Sequence, residues 1–163
     1  MGTKPTKARD NVFCKARLEA AKYNDKLRSR SGAAEALGYA SESTISDWEL
    51  GLSIPAPEVV LKMSDLYNAP ELENYYCTSM CPLGCNMPKV DLEALDRISL
   101  RALSTFRKVE ETREILLDIT ADGVIAEDEK ADLQKVLCNL EELEQIAQSM
   151  KLWVKKNMQE DPS

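Results

Sequence analysis

The chain has 163 residues, 44% hydrophobic and 30% charged, with a formal net charge of −7. That suffices for one ordinary domain or two small ones with a packed core, and is too apolar for wholesale disorder. Histidine is absent, which removes Ser/His/Asp and Cys/His nucleophile arrangements, histidine bases and histidine metal sites.

No apolar run is long enough to span a bilayer, and the polar stretch Met1–Asp10 lacks the apolar segment of a signal peptide. A cytoplasmic protein without a membrane partner is expected. No acid/base pair or nucleophile arrangement stands out, so an enzyme is not expected. Charge is unevenly spread. Met1–Arg30 holds nine basic residues against three acids, Ser31–Pro88 one against eight, and Lys89–Ser163 eleven against seventeen. A basic leading segment can meet a nucleic acid even in an acidic protein, because screening makes local charge count for more than the total.

Helix formers dominate and no stretch alternates like a strand, so the chain reads as all-α. A first helix is predicted from about Asn11 to Asn24, with Val12, Ala16, Ala20 and Tyr23 at helical spacing. A second runs from about Ser31 to Leu37, capped by Ser29 or Ser31 and stopped by Gly38. A third runs from Glu42 to Leu50 between Ser41 and Gly51, and a fourth opens on Pro57, a residue suited to a first turn, and ends near Asn68. A fifth leads from about Pro70 into the cysteine segment.

Two prolines and a glycine in Cys81–Pro88 then break the chain. Beyond them, long helices are predicted over about Leu92–Ile119 and Glu127–Lys156. In the first, Leu92, Leu95, Ala102, Phe106, Val109 and Leu116 lie near one face. In the second, Leu133, Val136, Leu140, Leu143, Ala147, Met150 and Val154 step by three and four, a heptad seam. The pair reads as a coiled-coil-like helical hairpin. Ile98, Leu103, Ile115, Leu137, Ile146 and Trp153 widen the apolar face beyond one seam, which points to a homodimer formed through two such hairpins, with a monomer whose hairpin folds back on the first part as the alternative. The expected organisation is a five-helix domain over 1–80, a Cys/Pro linker over 81–90, a dimerising hairpin over 91–157 and a flexible tail over 158–163.

Cys77, Cys81 and Cys85 are spaced C-x3-C-x3-C. Residues four apart share a helix face, so Cys77 and Cys81 could reach one ion with Cys85 as a third ligand, but a fourth is missing and Pro82 intervenes. Reduced, half-buried thiols at a helix end are the plainer expectation, with a metal or a redox sensor as the alternative. Asp118–Glu129 fits the spacing of a calcium loop, with Gly123 sixth and Glu129 twelfth. Thr120 is a poor third ligand and the loop stands alone, so a plain hairpin turn is expected.

One segment resembles a known family. Ala33-Ala34-Glu35-Ala36-Leu37-Gly38, then Ser43-Thr44-Ile45-Ser46-Asp47-Trp48-Glu49 with Gly51, then Ile54-Pro55, look like the phage-repressor (Cro/XRE-type) helix-turn-helix domain over about Asn11–Ala69. The resemblance implies a sequence-specific transcriptional regulator that binds double-stranded DNA with its third helix in the major groove. It implies that Ala34, Leu37, Ile45 and Trp48 are core and that Glu49 pairs with Arg17. Ser41, Glu42, Ser43, Thr44 and Asp47 would meet base edges and phosphates, with Arg28 and Arg30 as phosphate clamps aided by the basic N-terminal arm. The outer face carries Glu42 and Asp47 and no base. The same scaffold therefore also fits a protein-interaction adaptor or antitoxin-like module.

Overall fold

The computed structural model describes residues 10–121 and 123–158. They contain helices and no strand, as the all-α reading expects. The chain divides into two compact units, Met1–Met87 and Pro88–Ser163.

The described residues of the first unit hold five α-helices: α1 (Val12–Ala20), α2 (Arg30–Leu37), α3 (Glu42–Leu50), α4 (Pro57–Leu66) and α5 (Glu71–Ser79), with short 3₁₀ turns at Asp25–Arg28 and Pro82–Gly84. Local chemistry explains the boundaries. The side chain of Asn11 accepts the N–H groups of Phe13 and Cys14 at the start of α1. Ser29 caps α2 by accepting from Gly32, and Ser41 caps α3 by accepting from Ser43. Gly38 (φ 81°) and Gly51 (φ 71°) end those helices in the left-handed region, which a residue with a Cβ enters only at a cost. The first helix is shorter than predicted. It stops at Ala20, and Asn24 caps the 3₁₀ turn that follows.

The five helices close on one core. Phe13, Leu27, Ala33, Ile45, Val60, Met63 and Leu72 are essentially removed from solvent, with Trp48 and Tyr67 beside them. Tyr39 stands edge-on to Trp48, with ring centroids 5.3 Å apart, and Phe13 meets Tyr75 edge-on at 6.3 Å.

The cysteine segment corrects an expectation. Helix α5 ends at Ser79, so Cys77 lies in the helix while Cys81 lies beyond it in extended backbone, capping the Pro82–Gly84 turn. The shared face that would let Cys77 and Cys81 reach one ion is therefore lost. The turn folds back so tightly that a Cβ on Gly84 would sit 1.7 Å from the carbonyl oxygen of Cys77. Cys85 is exposed. Among the described residues no three Cys, Asp or Glu side chains gather into a group able to hold a metal.

The second unit is a hairpin of α6 (Leu95–Thr120) and α7 (Lys130–Asn157). At 1.5 Å per residue each arm is about 40 Å long. The Thr120 hydroxyl donates to the carbonyl of Leu116 at 2.7 Å, and the Glu129 carboxylate accepts from the Ala126 N–H at 2.7 Å. Both side chains thus serve the ends of their own helices, as in a hairpin turn. Asp122, the fifth position of the calcium-like spacing, lies outside the described residues.

The seam differs from the one read in the sequence. Its buried members are Ile98, Thr105, Thr112 and Ile119 on α6, and Val136, Ile146, Ser149 and Leu152 on α7. Leu143 and Met150 are partly buried, whereas Leu140 and Val154 remain exposed. On α6, Phe106 is exposed as well. The helices turn a narrower, more polar line toward each other, where Asn139 Nδ2 donates to Thr112 Oγ1 at 2.7 Å. No described helix is long and apolar enough to cross a membrane.

Candidate nucleic-acid interface

Helices α2 and α3, joined by the turn at Gly38, form the helix-turn-helix pair. Its anchor is a buried ion cluster. Arg17 of α1 donates Nε to Glu49 Oε1 at 2.5 Å and Nη2 to Glu49 Oε2 at 3.2 Å. Its Nη1 donates to the carbonyls of Leu27 and Arg28 at 2.7 and 3.1 Å. Arg30 Nε donates to Glu49 Oε2 at 2.7 Å. Arg17 is 4% exposed and Glu49 1%, so the cluster survives in the interior only because its charges are matched and hydrogen-bonded. Burial alone would push the Glu49 carboxyl up, but the bonds and charges of Arg17 and Arg30 outweigh it and hold the carboxyl below its ordinary value. Burial raises the Tyr67 hydroxyl, and it raises the Cys14 thiol with help from the Glu49 charge.

The cluster ties α1, the 3₁₀ turn and α2 to the end of α3. Asn11 adds a fourth tie by donating to the Trp48 carbonyl at 3.2 Å. The backbone of α3 is thus held at its C-terminal end while its N-terminal residues Ser41, Glu42 and Ser43 face solvent.

A groove of about 440 Å³ lies at this outer edge, lined by Arg30, Ser41, Glu42, Ser43, Ser46 and Asp47. Five of the seven candidate DNA contacts therefore meet in one place. Arg28 stands apart, exposed and paired with Asp25 at 3.0 Å. Thr44 is half-buried and does not line the groove. Ser41 and Ser43 are joined hydroxyl to hydroxyl at 2.7 Å, so both oxygens are held at the helix start. Arg30 is held on one side by Glu49 while its side chain stays one-third exposed. A guanidinium fixed at Nε keeps other N–H donors for a second acceptor. Lys4, Lys7 and Arg9 of the basic arm lie outside the described residues.

Residues 24–74 match the family model described as a helix-turn-helix. The first unit carries a Cro/XRE-type helix-turn-helix domain. The match takes in α2, α3 and α4 and most of α5, with the groove at its centre. No curated protein and no solved structure matches the chain. A domain of this kind makes the protein a DNA-binding regulator in general terms, and the groove on α3 is where its helix-turn-helix meets solvent.

One contact and one residue escaped the sequence reading. The bond from Arg30 to Glu49 spans 19 residues of sequence, and nothing local announces it. Ser46 has no special neighbour in the sequence, yet it lines the groove between Ser43 and Asp47.

Proposed function

We propose that the protein is a sequence-specific transcriptional regulator that binds double-stranded DNA as a homodimer, with α3 in the major groove. The observation that carries this reading is the open groove on α3, where an arginine braced by a buried carboxylate stands beside three serine hydroxyls and two carboxylates. Arg30 and Arg28 contact phosphates, and Ser41 and Ser43 donate to phosphate at the helix start. Glu42, Thr44 and Asp47 lie along the same helix for base edges, where a carboxylate accepts from cytosine N4. Because the outer face of α3 carries two acids and no base, affinity rests on the arginines and on shape. Binding is therefore weak without a matching sequence.

Gel-shift titration of the full chain on palindromic duplexes tests this, beginning with DNA from its own upstream region. Retardation should fall steeply with salt. Arg28→Ala should weaken binding about equally on all sequences and lower the salt slope by about 1. Asp47→Ala should instead change which sequence is preferred. No retardation of any duplex at low salt would end the reading.

A second reading has one observation in its favour. The exposed Glu42 and the acids around it repel phosphate, which suits a protein partner presenting basic residues. A stoichiometric protein partner that co-purifies and competes with DNA for α3 would support it.

A further inference from the structure

The hairpin has two unlike faces. In α6 the line Ile98, Thr105, Thr112, Ile119 is buried. Beside it, at the same seven-residue spacing, run Leu95, Ala102, Val109 and Leu116. In α7, Val136, Ile146, Ser149 and Leu152 are buried, Leu143 and Met150 are half-buried beside them, and Leu133, Leu140, Ala147 and Val154 form the second line. The Thr112–Asn139 bond and the Lys108–Glu142 ion pair fix the register of the arms. That register sets Leu116 beside Leu133, Val109 beside Leu140, Ala102 beside Ala147 and Leu95 beside Val154. These are four successive apolar layers along one groove. The groove is open where Val109, Leu116, Leu117 and Leu140, with Thr112, Arg113 and Thr120 beside them, line about 320 Å³. Phe106, four residues after Ala102 and three before Val109, borders it and is 55% exposed. The opposite face carries the Lys108–Glu142 pair.

We propose that this groove is the contact surface for a second copy of the chain, packed face to face with the hairpin tips at opposite ends. This rests on the dimeric part of the reading above and names its surface. Two arguments select a second copy. A groove between two helices is filled best by two more, as in a four-helix bundle. The layers run from Leu95 to Leu116, about 32 Å, and two helices span roughly 20 Å. Such a footprint approaches the roughly 800 Å² per partner of a stable complex.

Layer sizes then fix the orientation. With the tips together, the Ala102/Ala147 layer would face its own copy, and four alanines would leave a cavity. With the tips apart, a two-fold axis between the second and third layers sets each alanine layer against the Val109/Leu140 layer of the other copy. The end layers, Leu116/Leu133 and Leu95/Val154, then meet each other. In the two central layers large side chains thus fall on small ones.

Analytical ultracentrifugation of the full chain without DNA tests the proposal. The wild type should sediment at twice the chain's 18.3 kDa. Leu140→Glu and Phe106→Glu should each raise the dimer dissociation constant about a hundredfold or more, because each sets a charge in an apolar interface. Phe106 is largely exposed in the single hairpin, so its replacement leaves the helices folded, as circular dichroism should confirm. Leu100, exposed and two residues from Ala102 on the far side of α6, is the control, and Leu100→Glu should leave the dimer intact. Ala147→Leu should weaken the dimer, since it overfills a layer already facing Leu140.

A monomeric wild type, a Phe106→Glu dimer as tight as the wild type, or a dimer strengthened by Ala147→Leu would each overturn the proposal. A dimer that retards no DNA would count against the duplex reading and leave the groove standing. A monomer that retards DNA would do the reverse.

Discussion

The two units differ in how completely they bury their apolar side chains. In the first, apolar side chains from five helices close on one another, and the charged groups taken inside, Arg17 and Glu49, are bound to each other and to backbone. In the second, the line between the helices mixes Ile98, Ile119, Val136, Ile146 and Leu152 with the hydroxyls of Thr105, Thr112 and Ser149, while Leu103, Phe106, Leu117, Leu137 and Leu140 stay exposed. A core that satisfies itself belongs to a domain complete on its own. A hairpin that spends part of its seam on hydroxyls and leaves leucines outside belongs to something larger. The difference teaches that the first unit's stability depends on internal pairing and the second unit's on what covers it.

The strongest way to break that contrast is at the ion cluster. Glu49→Ala strands Arg17 in the interior, and loss of one partner of a buried pair costs about 3–5 kcal/mol. Denaturant melts followed through Trp48, with Trp153 replaced by Phe, should show the first unit losing that amount. Hairpin unfolding should not move. The same cluster sets a pH dependence. Because the folded Glu49 carboxyl is held below its ordinary value, its contribution is complete above the ordinary carboxylate range. It is lost as pH falls through the lower, folded value. Acid titration should destabilise the wild type in that window and Glu49→Gln much less.

A smaller loss is expected at Gly84. A Cβ there meets the Cys77 carbonyl oxygen at 1.7 Å, so Gly84→Ala must displace backbone and should cost the first unit about 1–3 kcal/mol in the same melts. Smaller again is Asn139→Ala, which removes the bond to Thr112 and should lower hairpin stability by about 1 kcal/mol. The smallest effect is expected from Arg28→Ala, whose exposed pairing with Asp25 contributes at most about 1 kcal/mol. Its stability should barely change while its salt-dependent DNA binding falls.

Short-range chemistry was legible in the sequence. Ser29 with Gly38 and Ser41 with Gly51 bracket their helices as read, because caps and left-handed glycines act within a few residues. The Arg17–Glu49 pair came only through the family resemblance and is present. The hairpin's inner face was not legible. Leu133, Leu140, Ala147 and Val154 on one side and Val136, Leu143 and Met150 on the other follow the same heptad. Periodicity places both on one stripe without telling which faces the neighbouring arm. Thr105 and Thr112 carry no apolar signal at all, although the register rests on the bond to Thr112. The cysteine spacing suggested a shared helix face, but α5 ends at Ser79, before Cys81 is reached.

The central claim is that the outer edge of α3 reads a duplex. Selection of DNA from a randomised library by the full chain, repeated with Arg30→Ala and Asp47→Ala, tests it most directly. The account predicts enrichment of a two-fold symmetric sequence by the wild type, loss of recovery with Arg30→Ala, and a shifted preferred sequence with Asp47→Ala. Recovery of no sequence above background, or an identical preferred sequence with and without Asp47, would contradict it.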